Sequence, residues 1–444
     1  MQKTISESQF KDFCLILDKN VSKTRKLSVT NRNPVHVIYG GAHLFKSDTV
    51  QKLGRIALKT FETFAPDAKS FGETFGFNDE LSNKIFERVR EKLMREPIED
   101  LRVDFEDGYG FRSNEEEDSH AVSASDEMAK ALHTNTLPPF CGFRIKSFSP
   151  ETYKRAIMTL DLFLTNLLEK TDAKLPENFV LTLPKVENET QIKVLATLLK
   201  EFENRFGLEK NSLKLEILIE TPSAIFNEKG KVPLKKFIKA ADNRCVAAHF
   251  GAYDFTSSFG IAAEHQHLNH KLCDFARNVM QTSLAETGVR LSDSVTTLLP
   301  VAVHKGETLS RQQFDENSFA MRTAWREHFA NVTNSMRNGF YQSWDLHPNQ
   351  FVARYAAVYS FFIGDSESSA KRLRGFLGKA TQAITTGNQF DDAASANGLL
   401  NFFNRAFSCG AIPADEIEIS TNLSIEELRL NSFAKIMEKR GKSS

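Results

Sequence analysis

The sequence predicts an α/β fold: a TIM (β/α)8 barrel with a C-terminal helical extension. Three observations predict it. Short apolar, β-rich runs recur along the chain at spacings of roughly 30 to 65 residues, the length of a strand–helix unit with occasional insertions. Four of these runs end directly on polar groups, in LRVDFEDGYG (101–110), FCGFRIK (140–146), LEILIETPSAI (215–225) and CVAAHFGAYDFT (245–256). In a parallel barrel the chemistry sits at such strand ends. No Gly-rich phosphate loop follows the first strand, which weighs against the doubly wound open sheet as the alternative.

The elements follow in order. Residues 35–39 form the first candidate strand and 50–64 an amphipathic helix. A longer connection, 67–99, carries a second helical pattern at 81–93. Strand two is 101–105 and strand three 140–145. Ser149-Pro150 opens the next helix, with serine as cap and proline in the first helical position; it runs toward residue 170. Strand four is 179–183. In the helix after it, Ile192, Leu195, Ala196, Leu199, Phe202 and Phe206 make a 3.6-residue stripe, and Asn188 with Gln191 suits its start. Strands five to eight are 213–219, 245–250, 295–301 and 341–345. From about 364 the pattern is helical (371–386, 393–407). A turn-rich CGAIPADEIEIS then leads to a last helix at 424–439. The expected division is an N-terminal arm (1–34), a barrel (35–363) and a C-terminal helical domain or lid (364–444).

The 444 residues hold 57 Lys+Arg and 57 Asp+Glu, so the net charge is zero. That argues against nucleic acid or an anionic membrane as the main partner, and the basic stretch at 19–26 reads as a solvated arm. No apolar run approaches the roughly 18 residues that span a bilayer. MQKTISESQFKDF lacks the apolar core of a secretory leader, and Cys14, Cys141, Cys245, Cys273 and Cys409 show no close pair. A cytoplasmic protein with free thiols is expected. The 37 phenylalanines read as core filler.

Glu220 and Asp254 each follow an apolar strand, and those strands are consecutive. Neighbouring strands lie about 4.8 Å apart, so the two carboxylates could share one small hard cation, completed by water and substrate oxygens. The competing reading is a pair of solvated or capping carboxylates. Arg144 ends strand three; its planar fork suits a carboxylate or enolate oxygen, or else a structural ion pair with Asp104 or Glu106. Lys185, in LTLPKVEN, offers a second cation. Glu106 and Asp107 are adjacent. On an extended strand they would face opposite ways, so only one is expected to reach the site, with Gly108 and Gly110 turning the backbone. Gly251, Ala252 and Tyr253, leading into Asp254, are the expected substrate-facing turn. The Glu264, His265, His267, His270 group reads as a helix start rather than a zinc site. His347 reads as a cap or loop brace, and His249 as a core histidine.

Taken together and in order over roughly 35–355, these segments resemble the HpcH/HpaI aldolase and citrate lyase β-subunit-like superfamily, which includes malyl-CoA lyase. DFEDGYG resembles its acidic loop, GFRIK its arginine strand and LPKVEN its PKVE strand. IETPSAI and HFGAYDFT resemble its metal-glutamate and metal-aspartate strands. CDFARNVMQTSLAETGVRLSDS and GFYQSWDLHPNQ resemble its later helix and closing motif. The chain is more similar still to a long variant with an extra C-terminal helical domain, sometimes labelled phosphoenolpyruvate kinase.

The resemblance implies a barrel of the phosphoenolpyruvate/pyruvate type, with Mg2+, or Mn2+ in its place, on Glu220 and Asp254. It implies Arg144 on the substrate's oxo-acid oxygen with Glu106, Asp107 and Lys185 in support. The implied activity is a carbon–carbon lyase or aldolase acting on a 2-oxo acid, or on an acyl-CoA-derived hydroxy acid, in a homo-oligomer. The alternatives are phosphoryl transfer on phosphoenolpyruvate and a non-catalytic barrel. Ser294 and Ser343 stand where the family has glycine, and no CoA signature is visible.

Overall fold

The computed structural model describes residues 32–306, 308–378, 384–386, 389–391 and 393–441, with residues 8, 11, 12, 14 and 15 ahead of them. The predicted N-terminal arm falls largely outside the described residues.

Eight strands close into a parallel barrel in chain order. They are β1 (His36–Gly41), β2 (Asp100–Asp104), β3 (Phe140–Arg144), β4 (Phe179–Leu183), β5 (Lys214–Ile219), β6 (Cys245–Phe250), β7 (Arg290–Val295) and β8 (Gln342–Asp345). The barrel shuts where Val37 of β1 lies beside Trp344 of β8. Most strand residues are buried on both faces, as a parallel sheet under helices requires.

Seven strands lie within a residue or two of their predicted positions. The seventh does not: it is 290–295, not 295–301. Its sequence, RLSDSV, reads as polar. Its central acid is satisfied: Asp293 takes Arg277 Nη1 at 3.0 Å and Ser335 Oγ at 2.6 Å. The more apolar TTLLPV that follows is a loop.

The outer layer begins with α1 (Thr49–Phe64), α2 (Ala68–Phe75) and α3 (Asp79–Arg95), then α4 (Asn114–His133), α5 (Tyr153–Lys170) and α6 (Glu189–Phe206). Short α7 (Pro222–Ile225), α8 (Leu234–Ala240) and α9 (Ala252–Ser257) follow, then α10 (Lys271–Leu284), α11 (Arg311–Arg337) and α12 (Phe351–Gly364). Helix α6 obeys its sequence. Asn188 and Gln191 form a capping box, Ile192, Leu195, Ala196, Leu199 and Phe202 are buried, and Gly207 ends it at φ +67. Helix α5 departs from expectation, because Ser149 does not cap it. The Ser149 carbonyl instead accepts from Thr152 N and Tyr153 N, and the helix starts at Tyr153. Phenylalanines fill the core: Phe61, Phe71, Phe75 and Phe86 interlock at 5.0–5.9 Å between ring centres. All five cysteines are free.

After α12 come α13 (Ser366–Gly378), a hairpin of β9 (Ile384–Thr386) and β10 (Gln389–Asp391), then α14 (Ala393–Ser408), α15 (Ala414–Thr421), α16 (Ile425–Arg429) and α17 (Phe433–Gly441). The predicted helix over 371–386 is helical as far as 378; residues 379–383 lie outside the described residues, and Ile384–Thr386 pairs as a strand instead. The predicted last helix is two, broken at 430–432. Ser408 Oγ accepts from Asn33 N, and Arg405 lies 3.9 Å over the Tyr341 ring. Asn33 and Tyr341 precede β1 and β8. These contacts put α14 at the N-terminal end of the barrel, which does not suit a lid over the opposite rim.

Inside the barrel, side chains two apart stack in layers. At the bottom, Arg102 sends Nε and Nη2 to Glu216 at 2.8 and 2.9 Å and also pairs with Asp100; all three are fully buried. Above them Val37, Leu218, Val295 and Trp344 form an apolar layer against Tyr39 and Tyr253. Asp104, Arg144 and Glu220 come next, at the strand ends.

Candidate active site

Strand β2 ends at Asp104, and the chain turns at once. The Asp104 carboxylate accepts from Glu106 N at 3.0 Å and Gly108 N at 2.7 Å. A Cβ on residue 108 would sit 2.6 Å from Asp104 Oδ2, and Gly110 has φ +79, so glycine is needed at both positions. Because the backbone has left the sheet, strand alternation no longer separates Glu106 from Asp107. Lys185 Nζ bonds Glu106 and lies 3.1 Å from Asp107, while Arg144 Nη1 lies 2.9 Å from Glu106 and 3.4 Å from Asp107. Both carboxylates reach the same two cations, contrary to the expectation that only one would.

Arg144 ends β3 in direct register with Asp104. Its Nε and Nη2 each lie 2.6 Å from Asp104. The fork that the sequence offered to a substrate is therefore taken by Asp104, as in the ion-pair reading, and Nη1 is the edge that faces the rim. Lys185 sits at φ +49, an uncommon conformation for a side-chain-bearing residue. That turn aims its N–H at Glu220 Oε1 (2.6 Å) and leaves Nζ 3.9 Å from Asp254.

Glu220 follows β5 and is 2% exposed. It lies against Gly251, where a Cβ would be 2.3 Å from Glu220 Oε2. Asp254 stands in the first turn of α9 and is half-exposed. The other two residues of the expected substrate-facing turn look toward β7. Ala252 N donates to Ser294 Oγ at 3.0 Å, and Tyr253 OH lies 3.3 Å from the Val295 carbonyl. Ser294 thus does work that glycine could not. Ser343 accepts from Arg354 Nη1 at 2.6 Å.

The rim carries excess negative charge. Asp104, Glu106, Asp107, Glu220 and Asp254 face Arg144 and Lys185. Burial, then Glu106 and Asp254, push the Glu220 carboxyl up to about 8. Burial raises Glu106 to about 7, opposed by Arg144 and reinforced by Asp107. Burial also raises Asp254. Asp107 stays below the usual range because Arg144 and Lys185 outweigh its burial. Lys185 is held more firmly protonated by Glu106 and Glu220, against its own burial. Among the described residues no group of three or more His, Cys, Asp or Glu is set to enclose a metal. A small hard cation such as Mg2+ does not need one: it takes one or two carboxylates and fills its shell with water and substrate oxygens. Glu220 and Asp254, all-oxygen donors short of positive charge, fit that demand.

Other candidates resolve structurally. His347 caps the short turn Pro348–Gln350, and His270 caps α10 by accepting from Leu272 N at 3.2 Å. His249 is fully buried, 3.2 Å from Glu216. Two residues at the site were not singled out from sequence. Asp104 entered only as a possible partner of Arg144, yet it holds both the arginine and the acidic turn. Tyr39 places its ring 4.7 Å under the Arg144 guanidinium; no local signal marks it.

These features define a (β/α)8 barrel with a carboxylate-rich, arginine-bearing rim at the strand C-termini. The chain belongs to the family described as Domain of unknown function (DUF6986), whose model matches residues 18–436. No curated protein matches the sequence. Among solved structures, it is similar to a citrate lyase of Burkholderia xenovorans LB400, with 18% identity over 87% of this chain and 96% of that one and a TM-score of 0.54. It also matches CitE of Mycobacterium tuberculosis in complex with magnesium, acetoacetate and coenzyme A (14%, 85% and 98%, 0.45) and Haloferax volcanii malate synthase (14%, 92% and 98%, 0.43). At 18% identity, the first of these likenesses is one of fold.

Proposed function

We propose that the protein is an Mg2+-dependent carbon–carbon lyase of the aldolase type, acting on a small anionic 2-oxo acid through an enolate. The observation that carries the reading is the charge imbalance at the rim, where buried carboxylates crowd until Glu220 is raised to about 8. Glu220 and Asp254 would hold the dication, and its charge would relieve that crowding. When bound, it supplies Lewis acidity to a carbonyl oxygen. A barrel shared with a citrate lyase is compatible with this chemistry.

The chain's own residues do the rest. Arg144 Nη1 donates toward the oxygen on which charge develops, and a preorganised donor there is worth roughly 3–4 kcal/mol, about 10²–10³ in rate. Lys185 adds the positive charge that draws an anionic substrate past the carboxylates. Glu106, near 7, can give or take a proton at neutral pH. Asp104 keeps the guanidinium plane fixed while this happens.

The test is proton NMR of pyruvate in D2O with the protein and Mg2+. Methyl exchange is expected with wild type and should vanish in Glu220→Gln and Asp254→Asn. Undiminished exchange in either variant would remove that residue from the metal site. No exchange in wild type, beside turnover of phosphoenolpyruvate with ATP seen by phosphorus NMR, would favour phosphoryl transfer instead.

A further inference from the structure

We propose that Tyr39 is a positioning residue for Arg144, setting the plane in which the guanidinium meets substrate; the inference rests on the oxo-acid reading of the rim. Tyr39 lies on β1, two strands away from Arg144 on β3. Its ring centre is 4.7 Å from the Arg144 guanidinium carbon. Trp344 of β8 tilts against the same ring, 4.6 Å between centres at 32°, and lies 6.0 Å from the guanidinium itself. The arginine therefore rests on an aromatic bed made by the two strands where the barrel closes.

The bed is itself fixed from below. Tyr39 OH lies 3.3 Å from His249 Nδ1, and His249 Nε2 lies 3.2 Å from Glu216. Glu216 in turn holds the fork of Arg102 at 2.8 and 2.9 Å. His249, Glu216 and Arg102 are fully buried, so the tyrosine stands on a packed column and not on a mobile side chain.

The arrangement matters because Arg144 has little freedom to give substrate. Asp104 occupies its Nε–Nη2 edge at 2.6 Å. Asp104 fixes that edge but not the rotation of the guanidinium plane about it. A ring under one face fixes the rotation, since a cation is drawn to the face of an aromatic ring and a planar guanidinium also stacks on it. With edge and face both set, Nη1 is held at the rim beside Glu106. Without the ring the plane can roll, and Nη1 leaves the position in which it stands 2.9 Å from Glu106 and 3.4 Å from Asp107.

The experiment is calorimetric titration of the full chain with oxalate in saturating Mg2+, comparing wild type, Tyr39→Phe, Tyr39→Leu, Arg144→Lys and the Tyr39→Leu/Arg144→Lys double variant. Oxalate presents the two adjacent oxygens of a 2-oxo acid enolate. Tyr39→Leu should weaken oxalate about tenfold, the size of a partly desolvated cation–π contact. Tyr39→Phe, which keeps the ring, should stay within about twofold of wild type. In the Arg144→Lys background the leucine should cost almost nothing, because the planar group it positioned is gone. Mn2+ affinity without oxalate should be unchanged in Tyr39→Leu, separating positioning from general damage. An equal loss in both backgrounds, or a Tyr39→Phe as weak as Tyr39→Leu, would overturn the assignment. If wild type takes up no oxalate, the lyase reading fails; thermal unfolding of the same four-way cycle then decides Tyr39 alone, with non-additive melting temperatures upholding its hold on Arg144 and additive ones ending it.

Discussion

Replacing Gly251 with alanine tests the metal site at its most crowded point. The new methyl would lie 2.3 Å from Glu220 Oε2 and 2.5 Å from Glu220 Cβ, so one of the two must move. Glu220 has few places to go: it is 2% exposed, and its Oε1 takes the Lys185 N–H at 2.6 Å. Overpacking of this kind costs about 1–3 kcal/mol. At about 2.1 cal/mol/K per residue, unfolding a chain this long carries about 0.9 kcal/mol/K, so Tm should fall by only about 1–3 °C. Metal affinity should fall further, about 10–100-fold, as when the groups that orient a metal ligand are disturbed. Gly40→Ala is the control, since a methyl there meets no atom within 4 Å. Mn2+ titration followed by calorimetry, with Tm recorded on the same samples, reads both effects. Wild-type Mn2+ affinity in Gly251→Ala, or an equal loss in Gly40→Ala, would show that Glu220 does not hold the ion.

Three further outcomes are expected. Asp104→Asn should cut methyl exchange of pyruvate by at least about tenfold while leaving Mn2+ affinity within about threefold, because it loosens Arg144 and the 105–110 turn without touching Glu220 or Asp254; an equal loss of metal would place Asp104 elsewhere in the site. Lys185→Met should raise the KM for an anionic substrate more than it lowers kcat, measurable by initial rates at several salt concentrations; an unchanged KM would remove its steering role. Metal-free stability should decline as pH rises from about 4.5 to about 8. The Glu220 carboxyl is raised from 4.5 to about 8, so between those values the folded state binds more protons than the unfolded, and stability falls as pH rises through that window. One unit is 1.36 kcal/mol, giving about 5 kcal/mol as an upper bound and a Tm loss of up to about 5 °C by pH 8.5. Glu220→Gln or saturating Mg2+ should flatten the curve; a wild-type curve parallel to that of Glu220→Gln would refute the assignment.

The rim was legible in the sequence because each of its members ends, or directly follows, an apolar β run. Arg144, Glu220 and Asp254 needed only the rule that parallel strands deliver their ends to one side. Asp104 was not legible in the same way. Its role depends on lateral register with Arg144, 40 residues later, and no local pattern encodes that pairing. Glu106 and Asp107 were misjudged because the alternation rule was carried one turn too far; the strand stops at Asp104, and Gly108 is there to let it stop. β7 was misplaced because burial was read as hydrophobicity. Asp293 is buried with Arg277 and Ser335 as partners, and those partners lie on α10 and α11, out of reach of any local window.

That pattern of success and failure has one physical source. A closed parallel barrel fixes which end of each strand carries chemistry, and strand ends are local features of sequence. The lateral order around the rim, and the layers beneath it, are set by pairings between segments up to about 300 residues apart. Tyr39 and Trp344 are the extreme case, from the first and last strands, meeting only because the sheet closes. Residues proposed to bind are therefore easier to read from this sequence than residues that hold them in place. The latter are Asp104 at the edge of Arg144 and Tyr39 at its face. Both were silent locally, and both decide how the Nη1 edge of the guanidinium is presented at the rim.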